Sequence, residues 1–322
     1  MNCFTIGYFQ DNLGDDLMLS ILAKSNPNKN FRVTNWKDSK LLSFEKIDNV
    51  ELSNVNIIRE LFRCQEIVFI GGSLFMDSKP TSWIYYMKLF LFLALGRVLK
   101  KNIYVFSSNI GPILDKRTKF FSKLIFKLCK RIIVRDLTSY EFVSKLNHSD
   151  VLISKDIVEY LPVVQSEVVS GRLGVSVLGS GPWEQNKYEN NLIESIWEKV
   201  NSGYSQVYLF SFKNTQDLKL CQKLYNIFHS NGVFVKIIPY DDVDRFLLEF
   251  SYLDYVICTR FHSVILSMVY NVNFSVFIYS NKISDYLNTN YNITVPDKSE
   301  SIVDVSLENK LTSSKENPYV FS

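Results

Sequence analysis

No paired cysteines occur anywhere in this chain of 322 residues: Cys3, Cys64, Cys129, Cys221 and Cys258 stand singly, without a CxxC. That spacing excludes a disulfide framework and a cysteine zinc site, and describes reduced structural thiols in a cytoplasmic protein. The three histidines (His148, His229, His262) form no metal-ligand spacing either. The dinucleotide fingerprint GxGxxG is missing, the first loop reading GYFQDNLG, which argues against an NAD enzyme. There is no GxxxxGKS/T of a P-loop NTPase and no GxSxG. A large charge of one sign is lacking as well. The formal net charge is +3, too small for a dedicated nucleic-acid binder. Long hydrophobic runs are absent too. In the most membrane-like segment, WIYYMKLFLFLALGRVL (83–99), only Leu89 to Leu95 is uninterrupted, between Lys88 and Arg97. A spanning helix needs about 20 apolar residues, so a buried helix is expected here. The opening MNCFTIGYFQDNLGDD goes straight into a strand, with no charged region before an apolar one, and a secretory signal is not expected.

What is present is alternation. Short apolar strands (CFTIGY, FRVTNW, EIVFIG, NIYVFSS, RIIVR, DVLIS) are separated by segments long enough for crossover helices, at 15–25, 81–99, 116–130 and 137–146. Around 160–172 the helical period lapses, and the series then restarts with LGVSVLG, QVYLFSF, VFVKIIP, YVICT and NFSVFIY. The length suits two domains. The fold class expected is α/β with two Rossmann-like domains facing a cleft: 1–165, 166–298, and a C-terminal helix and fraying tail over 299–322.

In open parallel sheets ligands lie beyond the carboxyl ends of the strands. Five such ends are chemically loaded. The first carries Asn12, Gly14, Asp15 and Asp16; the next carries Gly71, Gly72, Ser73 and Asp77. A third, FSSNIGPI, holds Asn109; a fourth, IIVRDLTS, holds Arg135 and Asp136 where a strand becomes a helix. The fifth is CTRFHS, with Arg260 and His262. Glycine lets backbone N–H groups approach a ligand, and a helix N-terminus favours anions. Each feature also has a plainer reading: a tight turn for Gly71-Gly72, a local ion pair at a helix cap for Arg135-Asp136.

In this order the loops resemble the polysaccharide pyruvyl transferase family. The resemblance rests on NLGDD (12–16), GGSLFMD (71–77), SNIGP (108–112), VRDLTS (134–139), SKDIV (154–158), TRFHSVI (259–265) and IYSNKI (278–283). It runs from about residue 5 to 290. Ser73 stands where the family often has a third glycine. The resemblance implies a fold like that of the GT-B glycosyltransferases. It also implies transfer of pyruvate from phosphoenolpyruvate to two sugar hydroxyls as a cyclic ketal, releasing phosphate. A carboxylate and a phosphate on three carbons call for fixed cations, and guanidinium binds either group bidentately. Arg260, His262, Arg135 and Lys282 are the donor-binding candidates. His262 suits the acid work, while Asp15 or Asp77 suits the base. Asn12, Gly14, Asp15, Gly71, Gly72, Ser73 and Asn109 are the acceptor-side candidates. No metal or cofactor is called for beyond phosphoenolpyruvate as co-substrate, and no nucleic acid as partner.

The acceptor implied is a glycan of the cell surface or its lipid-linked precursor, met in the cytoplasm at the inner membrane face. The segment KRTKFFSKLIFKLCKR (116–131) bears on this. Lys116, Lys119, Lys123, Lys127 and Lys130 form one stripe, with Phe120, Phe121, Leu124, Ile125 and Leu128 opposite. It reads either as a helix against anionic headgroups or as a crossover helix with a solvated basic side. Two other functions stay open: a GT-B glycosyltransferase using a nucleotide sugar, and a non-catalytic module of glycan assembly.

Overall fold

A computed structural model of the chain describes residues 1–9, 11–35, 47–51, 53–72, 74–76, 82–146, 150–163, 166–181, 184–279, 281–295, 302–305 and 317–321. By contact the chain divides into two compact units. The first comprises Met1–Gln10, Asp15–Ile157 and Lys315–Ser322; the second comprises Asp11–Gly14 and Val158–Ser314. The division thus falls at 157/158, ahead of the expected 165/166.

The first unit is built from β1 (Asn2–Ile6), α1 (Leu13–Ser25), β2 (Asn30–Asn35), β3 (Ile47–Glu51), α2 (Asn54–Arg63), β4 (Glu66–Ile70), α3 (Ser82–Val98), β5 (Asn102–Ser108), α4 (Lys116–Leu128), β6 (Arg131–Val134), α5 (Leu137–Ser144) and β7 (Val151–Ile153). Its parallel sheet has the order β3-β2-β1-β4-β5-β6-β7. Every residue of β4 is buried, as parallel sheets covered on both faces require. The core gathers Phe4, Phe69, Phe75, Val105, Phe126 and Ile132.

After a 3-10 turn over Ile157–Tyr160, the second unit runs β8 (Arg172–Val177), α6 (Gln185–Asn201), β9 (Gln206–Ser211), α7 (Asn214–Ser230), β10 (Phe234–Pro239), α8 (Val243–Ser251), β11 (Tyr255–Cys258), α9 (Phe261–Tyr270), β12 (Asn273–Phe277), α10 (Asn281–Tyr291) and β13 (Ile302–Val305). Its order is β10-β9-β8-β11-β12-β13, with β13 antiparallel to β12. Both sheets therefore reverse direction beside their own first strand: between β1 and β4 in one, between β8 and β11 in the other. That reversal is where open α/β sheets take ligands. It turns the loops after β1, β4, β8 and β11 into the places to look.

The C-terminal expectation is corrected. Residues 302–305 form an edge strand, and 317–321 pack into the first unit instead of fraying. The cause is a pair of aromatics in an otherwise polar tail. Tyr319 is fully buried and donates its hydroxyl to the Lys155 carbonyl at 2.7 Å. The Phe321 ring lies 4.9 Å from that of Tyr104. The Asn26 side chain acts as a short strand partner: its Nδ2 donates to Tyr319 O at 3.0 Å, and its Oδ1 accepts from the Phe321 N–H at 2.9 Å.

Candidate active site

In the second unit the organising residue is Arg260. It follows β11 and is the N-cap of α9, with no side chain capping that helix. Its peptide is fixed by a buried serine on the neighbouring strand. Ser176 Oγ, from β8, accepts the N–H groups of Thr259 at 2.7 Å and Arg260 at 3.2 Å, and donates to or accepts from Ser263 Oγ at 2.8 Å. The guanidinium is then held from behind. Nε donates to Val177 O at 3.3 Å, and Nη2 donates to Gln216 Oε1 at 3.0 Å and to Asp217 Oδ1.

Asp217 is fully buried at the start of α7. Its carboxylate also accepts the Gly179 N–H at 3.1 Å and the Lys213 N–H at 2.9 Å. Three of the five guanidinium N–H donors are thus occupied. Among the described residues Nη1 makes no hydrogen bond, and the side chain keeps 14% of its surface exposed. This is a cation fixed in place with one edge still available.

Two other expected donor residues collect around it. The His262 ring, nearly buried, lies 5.3 Å from that of Phe261. The Lys282 ammonium, from the first turn of α10, stands 4.4 Å over the Phe261 ring. The segment Asp11–Gly14 joins this unit, tied by the Leu13 N–H to Phe212 O at 3.0 Å. A Cβ at Gly14 would sit 1.8 Å from His262 Nδ1, so glycine alone lets the backbone pass there.

Arg135 belongs to the first unit, and its complete burial there speaks against the expected donor role. It lies in the core of the first unit with no exposed surface. Its Nη1 pairs with Asp156 at 2.5 Å, and Nε donates to Asn109 Oδ1 at 3.1 Å. The plainer reading fits in its helix cap but not in its ion pair, which goes to Asp156: Asp136 caps α5 through the Ser139 N–H at 2.7 Å and accepts from Asn109 Nδ2 at 2.6 Å. The side chain of Asn109, an acceptor-side candidate, is committed to these two neighbours. Asp15, in the first turn of α1, is largely buried. A Cβ on Gly71 would lie 3.5 Å from its Oδ1, while one on Gly72 would meet the Tyr8 ring at 2.6 Å. Both glycines have φ above +60° or at it, the left-handed region that Gly tolerates best. The Tyr8 phenol is raised above its ordinary pKa, first by burial and then by the Asp15 carboxylate. Ser73, Asp77 and His148 lie outside the described residues.

Sequence reasoning missed the loop after β8, Gly179-Ser180-Gly181, together with Gln216 and Asp217. The loop's signal was available: a glycine pair directly after the run LGVSVL. Gln216 Nε2 donates to Ser180 O at 2.8 Å, and a Cβ on Gly179 would clash with Gln216 O at 1.8 Å. Also missed was Glu159, whose carboxylate accepts the hydroxyls of Tyr286 and Tyr291 from α10.

Among solved structures, the chain is similar to UDP-GlcNAc 2-epimerase from Methanocaldococcus jannaschii (12% identity, 92% of this chain and 89% of that one, TM-score 0.59). It is also similar to Anabaena Alr3699/HepE in complex with UDP (12%, 85% and 79%, 0.52). A third is UDP-N-acetylglucosamine 2-epimerase from Rickettsia bellii (10%, 85% and 78%, 0.50). At these identities the likeness bears on the fold alone, and the fold is the expected GT-B-like pairing of two α/β units. No curated protein matches the chain by sequence. The family model for polysaccharide pyruvyl transferase, however, matches residues 12–281, a span that begins at the last residue before α1 and includes the loops after β4, β8 and β11. The chain belongs to the polysaccharide pyruvyl transferase family.

Proposed function

We propose that the chain moves pyruvate from phosphoenolpyruvate onto two hydroxyls of a sugar, closing a cyclic ketal and releasing phosphate. The sugar is part of a cell-surface polysaccharide or its lipid-linked precursor, met in the cytoplasm at the inner membrane face. Family membership supports the reaction class. The observation that carries the donor assignment is Arg260, a guanidinium pinned by buried Asp217 with its Nη1 edge unspent. A carboxylate or phosphate oxygen pairs with such an edge at little further ordering cost, because the side chain is already fixed. Lys282 adds a second positive charge, and the N-terminus of α9 adds its dipole.

The chemistry follows from the donor. Protonation of C3 turns the enol carbon C2 into an oxocarbenium-like centre. One sugar hydroxyl adds at C2, the C2–O bond to phosphate breaks, and the second hydroxyl closes the ring at the same carbon. The methyl group gains one proton, and two hydroxyl protons are released. His262 supplies the acid. Asp15 takes a hydroxyl proton, with Asp77 as the alternative, while Gly14, Gly71 and Gly72 allow close backbone approach. The reaction as written needs no cofactor.

The test is direct. Phosphoenolpyruvate at about 100 times its Kd should stabilise the protein by roughly 2.7 kcal/mol, and with a glycan acceptor it should release phosphate as the acceptor mass rises by one pyruvyl ketal. A thermal shift with UDP-sugars and none with phosphoenolpyruvate would favour the glycosyltransferase alternative.

A further inference from the structure

The first unit contains a cavity of about 780 Å³ that the steps above do not use. Ile6 and Tyr8 from the end of β1 line it, with Leu74 beyond β4, Ile57 from α2, and Leu89 and Phe92 from α3. That volume lies within the range of small-molecule sites, about 300–1,000 Å³. Among the described residues lining it, Lys88 is the one charged side chain, and it is exposed. The cavity therefore has an apolar body and a cationic rim.

Three observations say what enters it. First, apolar surface is left in water around it: Ile58, Tyr85 and Tyr8, all lining residues, are 53%, 51% and 47% exposed. On α2, Val55, Ile58 and Phe62 make an outward stripe at helical spacing. Contiguous exposed apolar surface of this kind marks an interaction site. Second, the charge on the α3 side has one sign, whereas Asp15 lies toward Tyr8 and Glu60 of α2 is buried against Arg32. α3 and α4 together hold seven Lys or Arg and no Asp or Glu. An apolar partner with an anionic head fits that field; a neutral or cationic one does not. Third, Tyr8 joins the cavity to the loop after β4, its ring lying where a Cβ on Gly72 would be.

We infer that this cavity binds a single alkyl or isoprenoid chain whose phosphate head pairs with Lys88. The chain is that of the sugar acceptor, a step that rests on the pyruvyl-transfer reading; the binding site itself does not. Loaded this way, the head lies beside Tyr8, and a sugar attached to it reaches Gly71, Gly72 and Asp15. The same chemistry is offered by a bilayer phospholipid, and the experiment separates the two.

The probes are octyl and decyl phosphate below their micellar concentrations, with decanol as the uncharged control, titrated by calorimetry into the full chain. Binding should be one to one, and each added methylene should tighten it about fourfold. Lys88→Glu should weaken decyl phosphate about tenfold or more and leave decanol unchanged. Ile58→Trp, at a half-exposed position that tolerates a larger side chain, should weaken both by occupying the cavity. Absence of saturable binding, or affinities unchanged in both variants, overturns the assignment. So does sedimentation with anionic phospholipid vesicles without any binding of the soluble phosphates, because the surface is then a membrane face only. Phosphate release from phosphoenolpyruvate, measured separately, keeps the two readings apart. If decyl phosphate binds and phosphoenolpyruvate neither binds nor turns over, the pyruvyl-transfer reading fails while the chain site stands.

Discussion

Replacing Arg260 with alanine perturbs two things at once, and the structure allows them to be separated. Asp217 is fully buried, and its carboxylate is held by the Arg260 guanidinium and by two backbone N–H groups, from Gly179 at 3.1 Å and Lys213 at 2.9 Å. Removing one partner of a buried pair costs about 3–5 kcal/mol, because the other charge is stranded. The two surviving N–H donors place Arg260→Ala at the lower end, about 3 kcal/mol. For a unit the size of Val158–Ser314, that is a fall of roughly 6–12 °C in Tm. Changing the stranded charge should recover most of it. Arg260→Ala with Asp217→Asn is expected to lie within about 1 kcal/mol of the parent, a strong departure from additivity. Asp217→Asn alone should cost less than Arg260→Ala alone, since Arg260 retains some solvent. Calorimetry of the second unit's transition reads all three. An Arg260→Ala loss under about 1 kcal/mol, or a double variant no better than the single, would refute the pinned-cation argument. Arg260→Lys supplies the functional half. A lysine satisfies Asp217 as a point charge and leaves no second edge, so phosphoenolpyruvate affinity should fall about tenfold or more with the fold kept.

Other outcomes follow from single contacts. His262→Gln should abolish turnover with donor affinity nearly intact if His262 is the acid; parallel loss of both would reduce it to an anion ligand. Gly14→Ala should lower turnover sharply in protein whose circular dichroism is unchanged, because the added methyl occupies the position of the His262 ring; parental activity would remove that segment from the site. The five cysteines are buried thiols outside any disulfide, and burial pushes those of Cys129, Cys221 and Cys258 up to about 12. Disulfide exchange reagents at pH 8 should therefore react fast only after denaturation. Asp115, at the N-cap of α4, is held below its ordinary pKa, chiefly by the Thr118 N–H and hydroxyl. A depressed carboxyl stabilises above its unfolded pKa of about 4 and loses that contribution as pH falls through the lower folded value. Stability curves of the parent and Asp115→Asn should accordingly converge on acidification; curves that stay parallel would contradict it.

The strands that were legible in the sequence are those buried on both faces. EIVFI, NIYVFSS and QVYLFS are nearly continuous apolar runs because helices cover them on either side. β3, with the sequence IDNVE, was missed. It is an edge strand whose Asp48 and Asn49 are exposed, so its composition does not announce it. β13, IVDV, is also an edge strand, and its four residues are too short a run to stand out in a polar tail. The tail escaped because two aromatics, Tyr319 and Phe321, decide its fate inside an otherwise polar stretch. The site divides along similar lines. Glycines and cations at strand ends are visible one at a time, which is what makes Arg260, His262, Gly14 and Gly71 candidates. Whether a cation is spent or available is not local information. Arg135 and Arg260 follow strands in similar local contexts, VRD and TRF. What distinguishes them is what lies far along the chain: Asp156 and Asn109 both take donors from buried Arg135, while Asp217 holds one side of Arg260.

That contrast bears on how a binding arginine is built. An arginine free in solvent must lose side-chain entropy when it meets an anion, whereas one buried all round has nothing left to offer. Arg260 lies between these limits. Asp217, Gln216 and the Val177 carbonyl take three donors and fix the plane of the guanidinium. Asp217 also reduces the field an incoming anion meets, which weakens binding. The two effects oppose each other, and the second ligand decides between them. On the proposed reading a dianionic phosphate would meet Lys282 as well as Arg260, and the added cation would offset the charge that Asp217 takes away. If this balance holds, Lys282→Gln should cost phosphoenolpyruvate affinity more than it costs the affinity of a monoanionic carboxylate such as pyruvate, measured by competition. Equal losses for the two ligands would mean that Lys282 serves only to pack on Phe261, and that Arg260 binds the donor alone.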